Sequence, residues 1–204
     1  MKKGFFIVFE GPDRSGKTTQ VNLLKSWLKK KGFDIVLTRE PGGTKLSESI
    51  RKILLDTKNK IIPLSELFLY EAARAQHTME VILPALKLGR IVISDRYTLA
   101  SVAYQGYGRN ISLKLVNNLN KIATFNLVPD LTIVLTIPDR EFFNRRAKLK
   151  SDRMESESSK FRRKVNKAYN ECTGKNIVRI RATDSIEKIH DKVKFYLTKR
   201  LKIK

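Results

Sequence analysis

The chain of 204 residues is poor in several things at once: one cysteine, one tryptophan, two histidines, and 20 acidic residues set against 42 basic ones. The lone Cys172 has no intramolecular partner, so a disulfide-stapled fold is excluded and a reducing, cytoplasmic setting is expected. His77 and His190 have no second ligand type at useful spacing, so no histidine-based metal cluster is expected. No apolar run approaches the ~18 residues of a membrane span. The first apolar run, Phe5 to Phe9, is shorter than a signal-peptide core and leads into a glycine-rich loop. A secreted or membrane protein is therefore not expected. The shortage of acid leaves a net charge of +22, spread along the chain with no discrete basic tail. Such a field favours polyanions: nucleotides, nucleic acid or acidic membrane surfaces. Lysines such as Lys30, Lys58, Lys60 and Lys202 sit in surface-like contexts, where the charge only solvates the fold.

What is present is enough to build a core, since 41% of the residues are hydrophobic, and the length suits one domain, 1–204. Short β-rich runs at Phe5–Glu10, Asp34–Thr38, Ile91–Ser94, Leu131–Thr136 and Ile177–Ile180 read as strands. Between them the apolar spacing becomes helical: Val21, Leu24, Trp27 and Leu28 in one segment, a long helix over Ser65–Leu88, and Ile186, Ile189, Val193 and Leu197 in the last. Alternating strands and helices predict an α/β fold, a five-stranded parallel sheet with helices on both faces. Lys148–Lys164 has almost no apolar content and reads as a mobile basic flap, with a lid at about 145–160.

The first strand runs into Gly11-Pro12-Asp13-Arg14-Ser15-Gly16-Lys17-Thr18, the G-x-x-x-x-G-K-[ST] pattern. The glycines let backbone N–H groups curl round phosphate oxygens, and the helix that follows offers them its positive end. Lys17 is expected on the β- and γ-phosphates of a nucleoside triphosphate, and the Thr18 hydroxyl on Mg²⁺. The third strand ends in Asp95-Arg96. The carboxylate suits Mg²⁺ or its water shell. An arginine, where hydrolytic ATPases carry a glutamate, cannot activate water but can clamp a second phosphate. Phosphoryl transfer to an anionic acceptor is expected over hydrolysis.

Phe9-Glu10-Gly11 through Thr18-Thr19-Gln20, Thr38-Arg39-Glu40-Pro41-Gly42-Gly43-Thr44, Ala72-Ala73-Arg74-Ala75-Gln76-His77, Asp95-Arg96-Tyr97 with Ala103-Tyr104-Gln105-Gly106, Pro129-Asp130-Leu131-Thr132 and Asp152-Arg153-Met154-Glu155 together resemble the thymidylate kinase family. The resemblance implies a P-loop NTPase fold with a small basic lid, ATP as donor, dTMP as acceptor, Mg²⁺ and a homodimer. It implies an ATP site over Gly11 to Thr19. It places Asp13 near the sugar 3′-hydroxyl and the metal, Arg96 on the acceptor phosphate with Arg39 and Arg51 beside it, and Asp95 by the Mg²⁺ shell. It puts Arg74 and Gln105 on the thymine edge and Tyr104 under the deoxyribose. Tyr70 stands where the family usually has phenylalanine, and it lies four residues before Arg74 on one helix face. Ala100 stands where the family has a serine, with Ser101 one place later.

The family takes its catalytic cation either from the P-loop or from the lid; this chain has Arg14 in the loop and Arg145, Arg146, Lys148, Lys150 and Arg153 in the lid. Arg14 and Arg153 are expected to be partly redundant. Two other readings stand beside this one. A deoxynucleoside kinase would use Glu10 or Asp13 as base toward a neutral hydroxyl. A nucleic-acid-binding protein would use the positive field and show salt-sensitive binding.

Overall fold

The computed structural model describes residues 4–144 and 152–201. Five strands form one sheet: β1 (Phe5–Glu10), β2 (Ile35–Arg39), β3 (Ile91–Asp95), β4 (Leu131–Thr136) and β5 (Ile177–Arg181). Their order is β2-β3-β1-β4-β5, and every pair is parallel. The expected strands are all present, three of them with their C-terminal ends one residue later than the apolar pattern suggested. The reason is visible in the register: Arg39 pairs with Asp95, and Asp95 with Phe9, so polar residues complete the ladder at the end that carries the site.

Both faces of β1 are covered, as the parallel arrangement requires. Ile7 and Phe9 pack with Val21, Leu24 and Leu28 of α1 (Lys17–Lys30) and Ile189, Val193 and Leu197 of α9 (Ile186–Leu201). The alternate residues Phe6 and Val8 face Ile82, Ala85, Val92 and Tyr97. After β1 the chain crosses to the β2–β3 side, and later returns to place β4 on the opposite side of β1. This reversal opens a crevice at the carboxyl end of β1, where ligands of doubly wound sheets bind.

The helix expected over Ser65–Leu88 is longer at its start and not uniform. Helix α3 (Pro63–His77) begins at a proline, whose missing N–H costs nothing in a first turn. A π-helical turn over Thr78–Ile82 then leads into α4 (Leu83–Lys87). Pro84 would clash with a regular preceding turn, and the wider π turn lies just before it. The remaining helices are α2 (Lys45–Leu55), α5 (Thr98–Ser101) continuing through a π segment Val102–Gly108, α6 (Leu113–Ala123), α7 (Asp139–Asn144) and α8 (Ser159–Glu171).

The flap expected over Lys148–Lys164 is corrected in its described part. Ser158 caps α8 by accepting from Phe161 N at 3.2 Å. The two apolar residues of that described part, Met154 and Phe161, are both buried, packed with Ala103, Val134, Val165 and Tyr169. Two well-placed anchors hold a segment that composition alone makes look unanchored. Arg145, Arg146, Lys148 and Lys150 lie outside the described residues.

Candidate active site

The loop after β1 is shaped by its glycines. Gly11 has φ +136°, and a Cβ there would lie 2.4 Å from the Leu135 carbonyl oxygen, so no side chain fits between the loop and β4. Gly16 caps α1 at φ +92°, leaving the helix's first N–H groups for an anion. Lys17 is buried and folds back, its Nζ donating to the carbonyls of Gly11 (3.1 Å) and Pro12 (2.9 Å). Burial pushes its ammonium down to about 8, with the Arg96 charge adding to the fall. Thr18 and Thr19 are exposed at the start of α1. Arg14, at φ 61°, pairs with Glu155 at 3.0 Å.

Thr18 and Asp95 fit a magnesium ion. The Thr18 hydroxyl donates to Asp95 Oδ2 at 3.3 Å, while Asp95 Oδ1 is buried without a hydrogen-bond partner among the described residues. Hard oxygen donors, one of them left unsatisfied, are what Mg²⁺ takes.

Arg96 stands at the centre. It follows β3 in a left-handed conformation, φ 74°, which turns its side chain back over the loop. Its guanidinium donates to Gly11 O (3.1 Å), the Tyr169 hydroxyl (3.0 Å), the Tyr104 hydroxyl (3.3 Å) and the Asp13 carboxylate. Burial alone would raise the Asp13 carboxyl, but the charges of Arg96 and Lys17 outweigh it and hold the group below the usual carboxylate range. Beneath lies Glu10, fully buried, accepting from Tyr97 N (2.8 Å), Ala100 N (3.1 Å) and the Tyr169 hydroxyl (3.0 Å). Burial raises its carboxyl to about 7, against the pull of Arg96.

One cavity opens beside this cluster. It is lined by Asp13, Arg51, Tyr70, Arg96, Ser101, Tyr104 and Gln105, which are residues expected from sequence, together with Glu40, Pro41, Leu55, Ala100, Asp152 and Met154. Arg96 lies 5.2 Å over the Tyr104 ring, so the aromatic and the cation are mutually held. Arg51 donates to Pro41 O at 2.9 Å.

Three expected residues are placed elsewhere. Arg74 is 2% exposed and does not line the cavity. It stands behind Ser101, bonded to Glu40 (2.8 Å), Glu71 (2.5 Å), Ser101 (2.8 Å), Asn120 (2.7 Å) and Tyr97 O (3.0 Å). These bonds hold the wall: Nη1 is shared among Glu71, Ser101 and Asn120, Nε goes to Glu40, and Nη2 gives one N–H to the Tyr97 carbonyl. Arg39 is half exposed and makes a forked pair with Glu48 at 3.0 and 3.2 Å, away from the cavity. Arg153 does not aim at the loop: Nε donates to Leu54 O at 2.7 Å and the guanidinium pairs with Glu66 at 2.7 Å.

Sequence reasoning did not find the partners that make Glu40 and Glu66 rigid anchors of the site. Glu40 receives both Arg74 and His77, the latter at 3.0 Å, so His77 is a satisfied core histidine. Glu66 receives Arg109, Arg153 and Gln105. Helical spacing was a usable signal, since Glu66, Tyr70 and Arg74 recur every four residues on α3. Tyr169 looks like an ordinary core aromatic in sequence, and nothing there announces its bond to Arg96.

The family model for thymidylate kinase matches residues 9–193. The chain is 48% identical to the thymidylate kinase of Caldanaerobacter subterraneus subsp. tengcongensis, over 82% of this chain and 80% of that protein. It is 44% identical to the thymidylate kinase of Thermoanaerobacter sp. strain X514, over 96% of this chain and 100% of that one. The crystal structure of thymidylate kinase from Ehrlichia chaffeensis superimposes with a TM-score of 0.78 at 33% identity, covering 96% of this chain and 99% of the other. With the nucleotide loop, the arginine that follows β3 and the aromatic-walled cavity between them, this chain belongs to the thymidylate kinase family.

Proposed function

We propose that the protein phosphorylates dTMP to dTDP with ATP and Mg²⁺, supplying the route to dTTP. The observation that carries this reading is the position of Arg96, between the phosphate loop and a cavity walled by Tyr70, Tyr104 and Gln105. A nucleoside monophosphate in that cavity presents its phosphate to Arg96 and its base to Gln105. The terminal phosphate of ATP, held by the loop and Lys17, faces that acceptor. An acceptor oxygen bonds to the γ-phosphorus as the bond to the ADP oxygen breaks, and the work of the protein is positioning and charge neutralisation. Thr18 and Asp95 would hold Mg²⁺, which neutralises phosphate charge. Asp13, kept ionised by Arg96 and Lys17, orients the arginine and the Tyr104 hydroxyl.

The neutral-acceptor alternative needs a free base. Glu10 is enclosed and already accepts three hydrogen bonds, and Asp13 is committed to Arg96 and Tyr104. Coupled ADP release across dTMP, thymidine and other nucleoside monophosphates tests the reading. Turnover with dTMP and none with thymidine is expected; the reverse overturns it.

A homodimer is supported by the apolar residues that α2, α3 and α6 leave exposed: Leu46 and Ile53, Leu64 and Phe68, Leu115 and Ile122. Helix α3 packs beside both α2 and α6, so these residues are placed where a second copy could cover them together. Light scattering on the purified protein should give twice the chain mass, and Phe68→Lys should halve it. We place the protein in the cytoplasm, in keeping with its one free cysteine.

A further inference from the structure

Glu66 is fully buried on α3, and all its acceptor positions are in use. Oε1 accepts from Gln105 Nε2 at 2.9 Å and from Arg109 Nε at 3.1 Å. Oε2 accepts from Arg109 Nη2 at 2.9 Å and from Arg153 Nη1 at 2.7 Å. Burial disfavours its charge, yet the bonds from Arg109 and Gln105 hold the carboxyl below its ordinary range. An ionised carboxylate only accepts hydrogen bonds. Gln105 must therefore turn its amide nitrogen toward Glu66, because the flipped amide would set two acceptor oxygens against each other. The amide orientation, ordinarily ambiguous, is decided here by the neighbour. Its carbonyl oxygen is then the acceptor end of a side chain that lines the cavity.

We propose that Glu66 is a positioning residue for base selection: by holding the Gln105 amide nitrogen, it presents the cavity with an acceptor oxygen that takes the N3–H of thymine or uracil and repels the N3 lone pair of cytosine. This rests on the reading that Gln105 faces the base. A base that leaves this buried oxygen unmatched forfeits the hydrogen bond and meets another acceptor instead. Such a mismatch costs about tenfold to a hundredfold in discrimination. The methyl group that separates thymine from uracil lies outside this argument, so Glu66 affects selection at N3 alone.

The test compares kcat/KM for dTMP, dUMP and dCMP in the wild type, Glu66→Gln, Gln105→Met and the double variant. Glu66→Gln can donate as well as accept, which frees Gln105 to flip. It should lower the preference for dTMP over dCMP about tenfold or more, while the ratio of dTMP to dUMP stays unchanged. In the Gln105→Met background the same substitution should leave the dTMP-to-dCMP ratio where it was. An equal loss on all three substrates would mean that Glu66 only supports the fold, and an effect that persists without Gln105 would mean that it acts elsewhere; either overturns the proposal. If Gln105→Met alone leaves the ratio intact, the base-contact reading has failed, and the proposal goes with it. Should Glu66→Gln fail to fold, N3-methyl dTMP tests the same orientation in the intact protein. It should compete poorly with dTMP, and equal competition would overturn the proposal.

Discussion

The Tyr104 hydroxyl donates to Asp13 Oδ2 at 2.8 Å, joining a ring that walls the acceptor cavity to a carboxylate of the phosphate loop. The two are 91 residues apart in sequence, and both also contact Arg96. The ring and the hydroxyl of Tyr104 therefore do separable things. Tyr104→Phe keeps the steric wall and removes the bond, so turnover should fall about tenfold with the preference for deoxyribose intact. Tyr104→Ala removes the wall as well and should relax the discrimination against ribonucleotides. Steady-state kinetics with dTMP and its ribo counterpart would check both, and an unchanged preference in the alanine variant would refute the steric role.

Lys17 lies against the carbonyls of its own loop, a place an ammonium leaves once phosphate oxygens are offered. Lys17→Ala should lower kcat by about a hundredfold to a thousandfold, the usual cost of losing one preorganised charge partner. Near-normal turnover in that variant would remove the nucleotide-loop assignment.

Arg96→Ala should weaken dTMP much more than ATP, because the guanidinium is aimed across the loop at the acceptor side. A charged hydrogen bond of about 1.5–3 kcal/mol implies a rise of about tenfold to a hundredfold in KM for dTMP. Equal losses for both substrates would place Arg96 on the donor instead.

Glu10 makes a prediction about stability. Its carboxyl titrates near 4.5 when exposed and at about 7 in the folded protein, raised by burial. Between those values the folded chain binds a proton that the unfolded chain does not. This contribution to stability is full below the lower value and is lost as pH rises through the upper one. The ligand-free wild type should therefore lose Tm from about pH 5 to pH 8 more steeply than Glu10→Gln, which keeps the shape without the titration. Parallel Tm profiles from calorimetry would show that Glu10 does not titrate in this window.

Much of this was legible in the sequence because the signals are local. Each strand is a short β-rich run, and each was located to within one residue at either end. The phosphate loop is a contiguous pattern, and Arg96 follows a strand end directly. What escaped is long-range and polar. Glu66 meets Arg109 across 43 residues, and Arg74 meets Asn120 across 46. A charged residue on a helix looks solvent-facing until its partners are known, and composition carries no trace of them. The same blindness made residues 152–164 look loose, since two apolar anchors are too few to register as a pattern.

Arg14 and Arg153 were expected to share one task, and their partners divide them. Arg14 is fixed on the loop beside Lys17 and pairs with Glu155, with both side chains partly exposed. Their pair is part-buried, at 21% and 28% exposure, so a bound triphosphate competes with Glu155 for Arg14. Arg153 is held by Glu66 and the Leu54 carbonyl, and its backbone N–H donates to Leu55 O at 3.1 Å. Leaving Glu66 would take away one of the two arginines that neutralise a buried carboxylate, which is costly. Arg14 thus sits on the phosphate loop itself, whereas Arg153 fastens the segment that carries Met154 against the acceptor cavity. Arg14→Ala should depress kcat with little change in Tm, by up to about a thousandfold if it is the main transition-state cation. Arg153→Ala should lower Tm and raise KM for dTMP, with kcat at saturation changing much less. Because the two arginines hold different carboxylates, their effects on kcat/KM should multiply in the double variant. A double-mutant cycle read by kcat, KM and Tm would decide it. A double variant far worse than the product would restore redundancy, and a collapse of kcat in Arg153→Ala alone would move the catalytic charge from the loop to the lid.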